Sequence, residues 1–99
     1  MYSRLVIFKV GPGKHSNIEG LVDEFDDLYR VQKGFRHVFI IGDETSGEYG
    51  SFSVWESKED AEAANAVIAP RLQQALTSLL QGSPERWGFE VLEPKRNAT

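Results

Sequence analysis

Trp55, Asn65, Arg86 and His37 are the side chains whose types and positions could do chemistry on a small molecule. Trp55 ends an alternating segment in which Ser51, Ser53 and Trp55 point one way and Phe52 and Val54 the other. Two small residues beside one large ring leave room for a pocket, and the indole N–H can donate to an oxygen of a bound aromatic. The same residues also fit a plainer role, in which the ring caps the core beside small neighbours. Asn65 interrupts an alanine-rich helical face shared by Ala61, Ala64 and Ile68. Its amide either looks into that space, where it needs a partner, or lies wet at the edge of the stripe. Arg86 precedes the last apolar segment, placed either to hold an anionic oxygen or as a surface charge. His37 sits inside a strand-like segment, where an imidazole is available as a base near neutral pH or serves as a hydrogen-bonded structural group.

Other chemistries are excluded early. The chain has no cysteine, which removes thiolate nucleophiles, disulfides and iron–sulfur centres. His15 and His37 are its only histidines and lack metal-ligand spacing, so no metal site is expected. Gly11-Pro12-Gly13-Lys14 lacks the full phosphate-loop pattern and reads as a turn. No serine nucleophile elbow or dinucleotide fingerprint is present. Tyr49-Gly50-Ser51-Phe52-Ser53-Val54-Trp55 distantly echoes an RNA-recognition strand, but Glu48 stands where that pattern carries a base.

The elements that must position these residues follow from periodicity. Arg4–Val10 is a continuous apolar run closed by Gly11-Pro12-Gly13 and reads as a strand. Ser16 and Glu19 have capping-box spacing. Ile18, Leu21, Val22, Phe25, Leu28 and Tyr29 then form one helical stripe that Gly34 stops. Phe35–Gly42 and Tyr49–Glu56 are strands joined by a polar hairpin loop. Ser57 caps a second helix, which Pro70 should kink or restart before it runs on through Leu72, Leu76 and Leu79. Arg86–Glu93 is the last strand, with Trp87, Phe89 and Val91 on one face. The order βαββαβ predicts an α+β, ferredoxin-like fold: four antiparallel strands with two helices on one side. Residues 1–94 read as one domain and 95–99 as a disordered tail.

The strands are apolar on both faces. A sheet with helices on one side needs only one apolar face, so the other calls for a cover, and a second copy of the chain is the expected one. With 40% hydrophobic and 11% aromatic residues in 99, the chain is suited to a folded globule. Its net charge of −4 makes nucleic acid and anionic membranes poor partners. No stretch nears the ~20 apolar residues of a membrane span, and the N-terminus lacks a signal-peptide layout, so a cytoplasmic protein is expected.

Phe8-Lys9-Val10-Gly11-Pro12-Gly13-Lys14, Gly34-Phe35-Arg36 and Val54-Trp55-Glu56-Ser57-Lys58-Glu59-Asp60-Ala61 resemble the antibiotic biosynthesis monooxygenase family of dimeric α+β barrels. The similarity spans about residues 3–93. It implies a homodimer with a ligand cavity between sheet and helices in each subunit. It also implies a cofactor-independent monooxygenase that needs neither metal nor flavin and acts on an aromatic polyketide or quinol-type molecule. In that chemistry the substrate loses a proton and, as an enolate, itself reduces molecular oxygen; the protein supplies a dry cavity, donors and a base. Trp55 falls on the family's strand-three tryptophan, and Ser51 stands where anthrone-oxidising members have an asparagine. A haem-degrading branch uses a strand-one asparagine and a helix histidine, where this chain has Val6 and Asn65, so no haem ligand is expected. His37 matches loosely the histidines of the quinol-oxygenase branch. On this reading Trp55, Asn65 and His37 are catalytic, and Tyr49, Ser51, Ser53 and Arg86 hold the substrate. The alternative is a non-catalytic binding or interaction protein on the same scaffold, with Trp55 packed tight. A catalyst should instead show a cavity of roughly a few hundred Å³ by Ser51, Ser53 and Asn65.

Overall fold

The structure is a computed structural model that describes residues 1–94; the tail assigned to 95–99 lies outside the described residues. Seven elements follow in order: β1 (Tyr2–Lys9), α1 (His15–Glu19), α2 (Val22–Arg30), β2 (Phe35–Asp43), β3 (Glu48–Trp55), α3 (Lys58–Leu76) and β4 (Glu85–Glu90). The strands form one sheet in the order β2-β3-β1-β4, every neighbouring pair antiparallel. This is the expected ferredoxin-like architecture. Strand limits differ from the sequence reading by a few residues, most at β4, which ends at Glu90 rather than Glu93.

The expected first helix is two. Gly20, the poorest helix former in the segment, marks the break. Its N–H bonds to the Ser16 carbonyl and that of Leu21 to Ile18, closing α1 before α2 begins. The apolar stripe survives, with Ile18, Phe25 and Tyr29 buried. The capping box does not form. Ser16 lies inside α1, Lys14 precedes it without a side-chain cap bond, and Glu19 turns to His15, 3.4 Å away. At α3 the expectation holds: the Ser57 hydroxyl accepts from the Asp60 N–H at 3.1 Å, with Glu59 and Asp60 in the first turn. Pro70 does not restart this helix, which runs unbroken from Lys58 to Leu76. The carbonyl that loses its partner belongs to Ala66, an exposed residue whose C=O water can serve.

Register assigns every strand side chain to a face. Opposite partners on the helix side are Val38, Ser53, Arg4 and Gly88, then Ile40, Ser51, Val6 and Arg86. On the outer side stand His37, Val54, Ser3 and Phe89, then Phe39, Phe52, Leu5 and Trp87. The helix side carries the core in two clusters. Tyr29, Val38, Trp55, Ala61, Ala64 and Ile68 form one. Phe8, Val10, Ile18, Tyr49 and Leu76 form the other. Nothing in the described residues covers the outer side: Phe39 and Phe89 are each 55% exposed, Trp87 and Ile41 each 40%.

The two candidate caps separate experimentally. Ser57→Ala should cost about 1 kcal/mol in urea unfolding, the usual loss of a working N-cap, whereas Ser16→Ala should leave stability unchanged within about 0.5 kcal/mol. Equal losses would contradict the capping described here.

Candidate functional site

Two adjoining chambers lie between the sheet and the helices. The first, of about 40 Å³, is walled by apolar side chains of β1 and the helical segments, among them Phe8, Ile18, Leu21, Phe25 and Leu76, with Ile40 and Ser51 from the sheet. The second, of about 10 Å³, is bounded by Arg4, Ser53, Trp55, Asn65 and Arg86 together with small and aliphatic residues of α3. Tyr29 and Leu72 line both and form the partition. Both fall short of the roughly few hundred Å³ expected of a catalyst.

Trp55 is 1% exposed, wedged between Tyr29 (ring centroids 6.1 Å apart) and the edge of Phe35 (5.8 Å). Its indole N–H donates to the Ser53 hydroxyl at 2.9 Å, so the proton expected to meet a ligand already has an acceptor in the protein. Ser51 pairs with the Tyr29 hydroxyl at 2.7 Å. Thus the two serines that make room beside Trp55 each tie down one aromatic polar tip. Asn65, half-buried on α3, faces the second chamber with Arg86. Arg4 joins them, and its Nε is buried without a hydrogen-bond partner among the described residues.

The structure brings together Trp55, Ser53, Asn65 and Arg86, with Ser51 on the far side of the Tyr29 partition. It does not bring in His37 or Tyr49. His37 follows an irregularity in β2 and stands opposite Val54 on the outer face, exposed, its ring 4.3 Å from that of Phe39. The helix side of β2 belongs to Val38 and Ile40. Tyr49 is buried in the second core cluster, its hydroxyl 3.2 Å from His15 Nδ1, and lines neither chamber. Arg4 and Tyr29 are the site residues that sequence reasoning missed. Tyr29 read as one more member of a core stripe. Arg4 left a signal: a charge on the strand parity of Val6 and Phe8, which point inward.

Among the described residues no three His, Asp or Glu side chains converge as a metal-ligand group, and no helix is long and apolar enough to cross a membrane. No known family model and no curated protein matches the chain. Solved structures do. NE2512, a protein of unknown function from Nitrosomonas europaea, superposes with a TM-score of 0.80 at 20% identity, over 95% of this chain and 91% of that one. SnoaB, a cofactor-independent oxygenase from Streptomyces nogalater, gives 0.73 at 18% identity, over 95% of each chain. The monooxygenase from the gene ActVA-Orf6 of Streptomyces coelicolor, solved with nanaomycin D, gives 0.71 at 21% identity, over 95% and 92%. The chain therefore has the fold of the antibiotic biosynthesis monooxygenases.

The buried partition has a pH signature. Burial pushes the Tyr29 phenol above its ordinary 10.0; the Ser51 hydrogen bond, then the guanidiniums of Arg86 and Arg4, pull it back only in part. Burial also raises Tyr49, with Glu44 and Asp43 adding to the effect. Below pH 10 the Tyr29 phenol is neutral in both folded and unfolded chains. Above it the unfolded chain ionises first, so folding stability falls as pH rises past 10.0 and levels only once the folded phenol ionises. Tyr29→Phe should flatten part of that fall in urea titrations between about pH 9 and 11. An unchanged slope would mean that Tyr29 is not shielded as described.

Proposed function

We propose that the chain is a cofactor-independent monooxygenase acting on an aromatic or quinol-type small molecule in the cleft between sheet and helices. The observation that carries this reading is the division of the cleft by Tyr29. An apolar chamber lies on one side, and on the other a chamber edged by Asn65, Arg4 and Arg86, all hydrogen-bond donors. A flat apolar ring system with an oxygen at one end would match this pairing of apolar and donor walls, and would enter by parting Tyr29 and Leu72, since the chambers as they stand hold about 40 and 10 Å³. The fold shared with SnoaB and the ActVA-Orf6 protein supports the same reaction class.

The chemistry asks little of the protein beyond placement. A ring CH₂ conjugated with a carbonyl loses a proton, and the enolate so formed reduces O₂, giving a ring C=O and one water; a hydroquinone, deprotonated in the same way, would give a hydroxyquinone and one water. The substrate supplies all the electrons. Asn65 would stabilise the enolate oxygen, and the apolar chamber would keep water from the reacting carbon. Trp55 would shape the pocket and reach a ligand oxygen only by exchanging its bond with Ser53.

A second reading, a binding protein without catalysis, is favoured by the tight packing of Trp55 and by the size of the space beside it. The chamber beside Trp55 holds about 10 Å³, room for about one water. Oxygen-electrode measurements with anthrones and hydroquinones separate the two. Catalysis predicts one O₂ consumed per substrate and a rate at least about tenfold lower in Asn65→Ala. Tight binding without oxygen uptake would establish the second reading.

The working unit in this proposal is a homodimer. The uncovered belt of Phe39, Phe52, Leu5 and Trp87 would meet its counterpart on a second copy, as one apolar sheet face packs on another. Sedimentation equilibrium at micromolar concentration should return twice the 11.1 kDa chain mass. Phe39→Glu, which puts a charge in the belt without touching the helix side, should return the single-chain mass. A wild-type monomer would remove the dimer from the proposal.

A further inference from the structure

Five arginines lie within the described residues. Three have carboxylate partners: Arg30 with Asp26, Arg36 with Glu56 and Arg71 with Glu24. Arg4 and Arg86 have none among the described residues, and both line the chamber that holds Trp55 and Asn65. Register explains how they meet. Arg4 lies opposite Gly88 and Arg86 opposite Val6, so the two are diagonal neighbours on adjacent strands of the helix side. Gly88 adds no side chain of its own there, and the Tyr2 phenol ring lies over it. Diagonal partners stand about 7–8 Å apart, within reach for side chains this long.

The arrangement is unfavourable for an empty cleft. A buried guanidinium N–H without an acceptor carries its desolvation cost unrelieved, and Arg4 Nε is in that state. Two like charges at one opening repel each other. The chain does not lack acids: 15 Asp and Glu residues outnumber 11 Lys and Arg. Within the described residues, its anions serve the other three arginines and leave these two unmatched. An incoming anion would satisfy the Arg4 N–H and neutralise the pair together.

We propose that Arg4 and Arg86 form a carboxylate-binding subsite at the mouth of the Trp55 chamber, and that the ligand of this cleft is an aromatic carboxylic acid. The inference rests on the reading that the cleft binds an aromatic molecule. A carboxylate is ionised at neutral pH and offers two oxygens to two planar guanidinium forks, whereas a phenol offers one and is neutral. Because the chamber beside Trp55 holds about one water, the ring system would lie against Tyr29 and Leu72 only by displacing that partition, with Asn65 on α3 facing it.

Calorimetric titration of the full chain with 2-naphthoate, 2-naphthamide and 2-naphthol tests both layers. At neutral pH the acid should bind at least about tenfold tighter than the amide or the phenol, the usual value of a charged hydrogen-bonded pair. Arg4→Gln and Arg86→Gln should each weaken the acid by about tenfold and leave the amide unchanged. Should Arg4→Gln fail to fold, the exposed Arg86→Gln still decides, and molar salt should weaken the acid but not the amide. Acid, amide and phenol binding equally, or the acid indifferent to Arg86→Gln, would overturn the carboxylate subsite while leaving an aromatic cleft. Failure of all three to bind would remove the cleft reading and the subsite with it.

Discussion

The register of β1 between β3 and β4 is the constraint on which the site and the outer belt both depend. With Arg4 opposite Ser53 and Gly88, the even-numbered residues of β1 face the helices and the odd-numbered ones face out. A slip of one residue against both neighbours would exchange the two sets: Leu5 and Ile7 would enter the cleft, and Arg4 and Val6 would join the outer belt. The helix side favours the observed setting because it buries Val6 and Phe8 beneath the helices. The same setting carries one charged residue, Arg4, inward with them. The unmatched guanidinium is thus a consequence of a register fixed by its apolar neighbours.

Trp55 shows how little freedom the cleft has. Its ring is held by Tyr29 on one side and Phe35 on the other, and its N–H by Ser53 two residues earlier in the same strand. Tyr29 is held in turn by Ser51. The two small hydroxyls therefore do two jobs: they leave space beside large rings, and they satisfy polar tips that burial would otherwise strand. A ligand entering here competes with bonds already made, which sets a different demand from filling an empty hole.

The sequence carried the fold well, because period-two and helical spacing are strong and Ser57 and Gly34 punctuate them, although α3 ends at Leu76 rather than running on through Leu79. It also put Ser53 and Trp55 on one face, since β3 alternates cleanly, but left Asn65 open between that space and the wet edge of the alanine face. It could not place His37. In Val38-Phe39-Ile40-Ile41 both strand parities are apolar, so nothing local says which faces the helices, and the irregularity between Phe35 and His37 settles it only in three dimensions. Arg4 was read as a strand terminus because its meaning depends on the parity of Val6 and Phe8 and on a missing acid elsewhere. The split at Gly20 was hidden by an apolar stripe that runs through both helices.

Arg86 and Trp87 are consecutive in β4, the sheet's last strand, hydrogen-bonded on one side only. One residue projects into the cleft and the next onto the uncovered surface. Anything that steadies this border strand from without also narrows the positions open to the guanidinium within. In the proposed dimer, occupancy of either side would lower the ordering cost of the other, a thermodynamic linkage that needs no movement of the core between them.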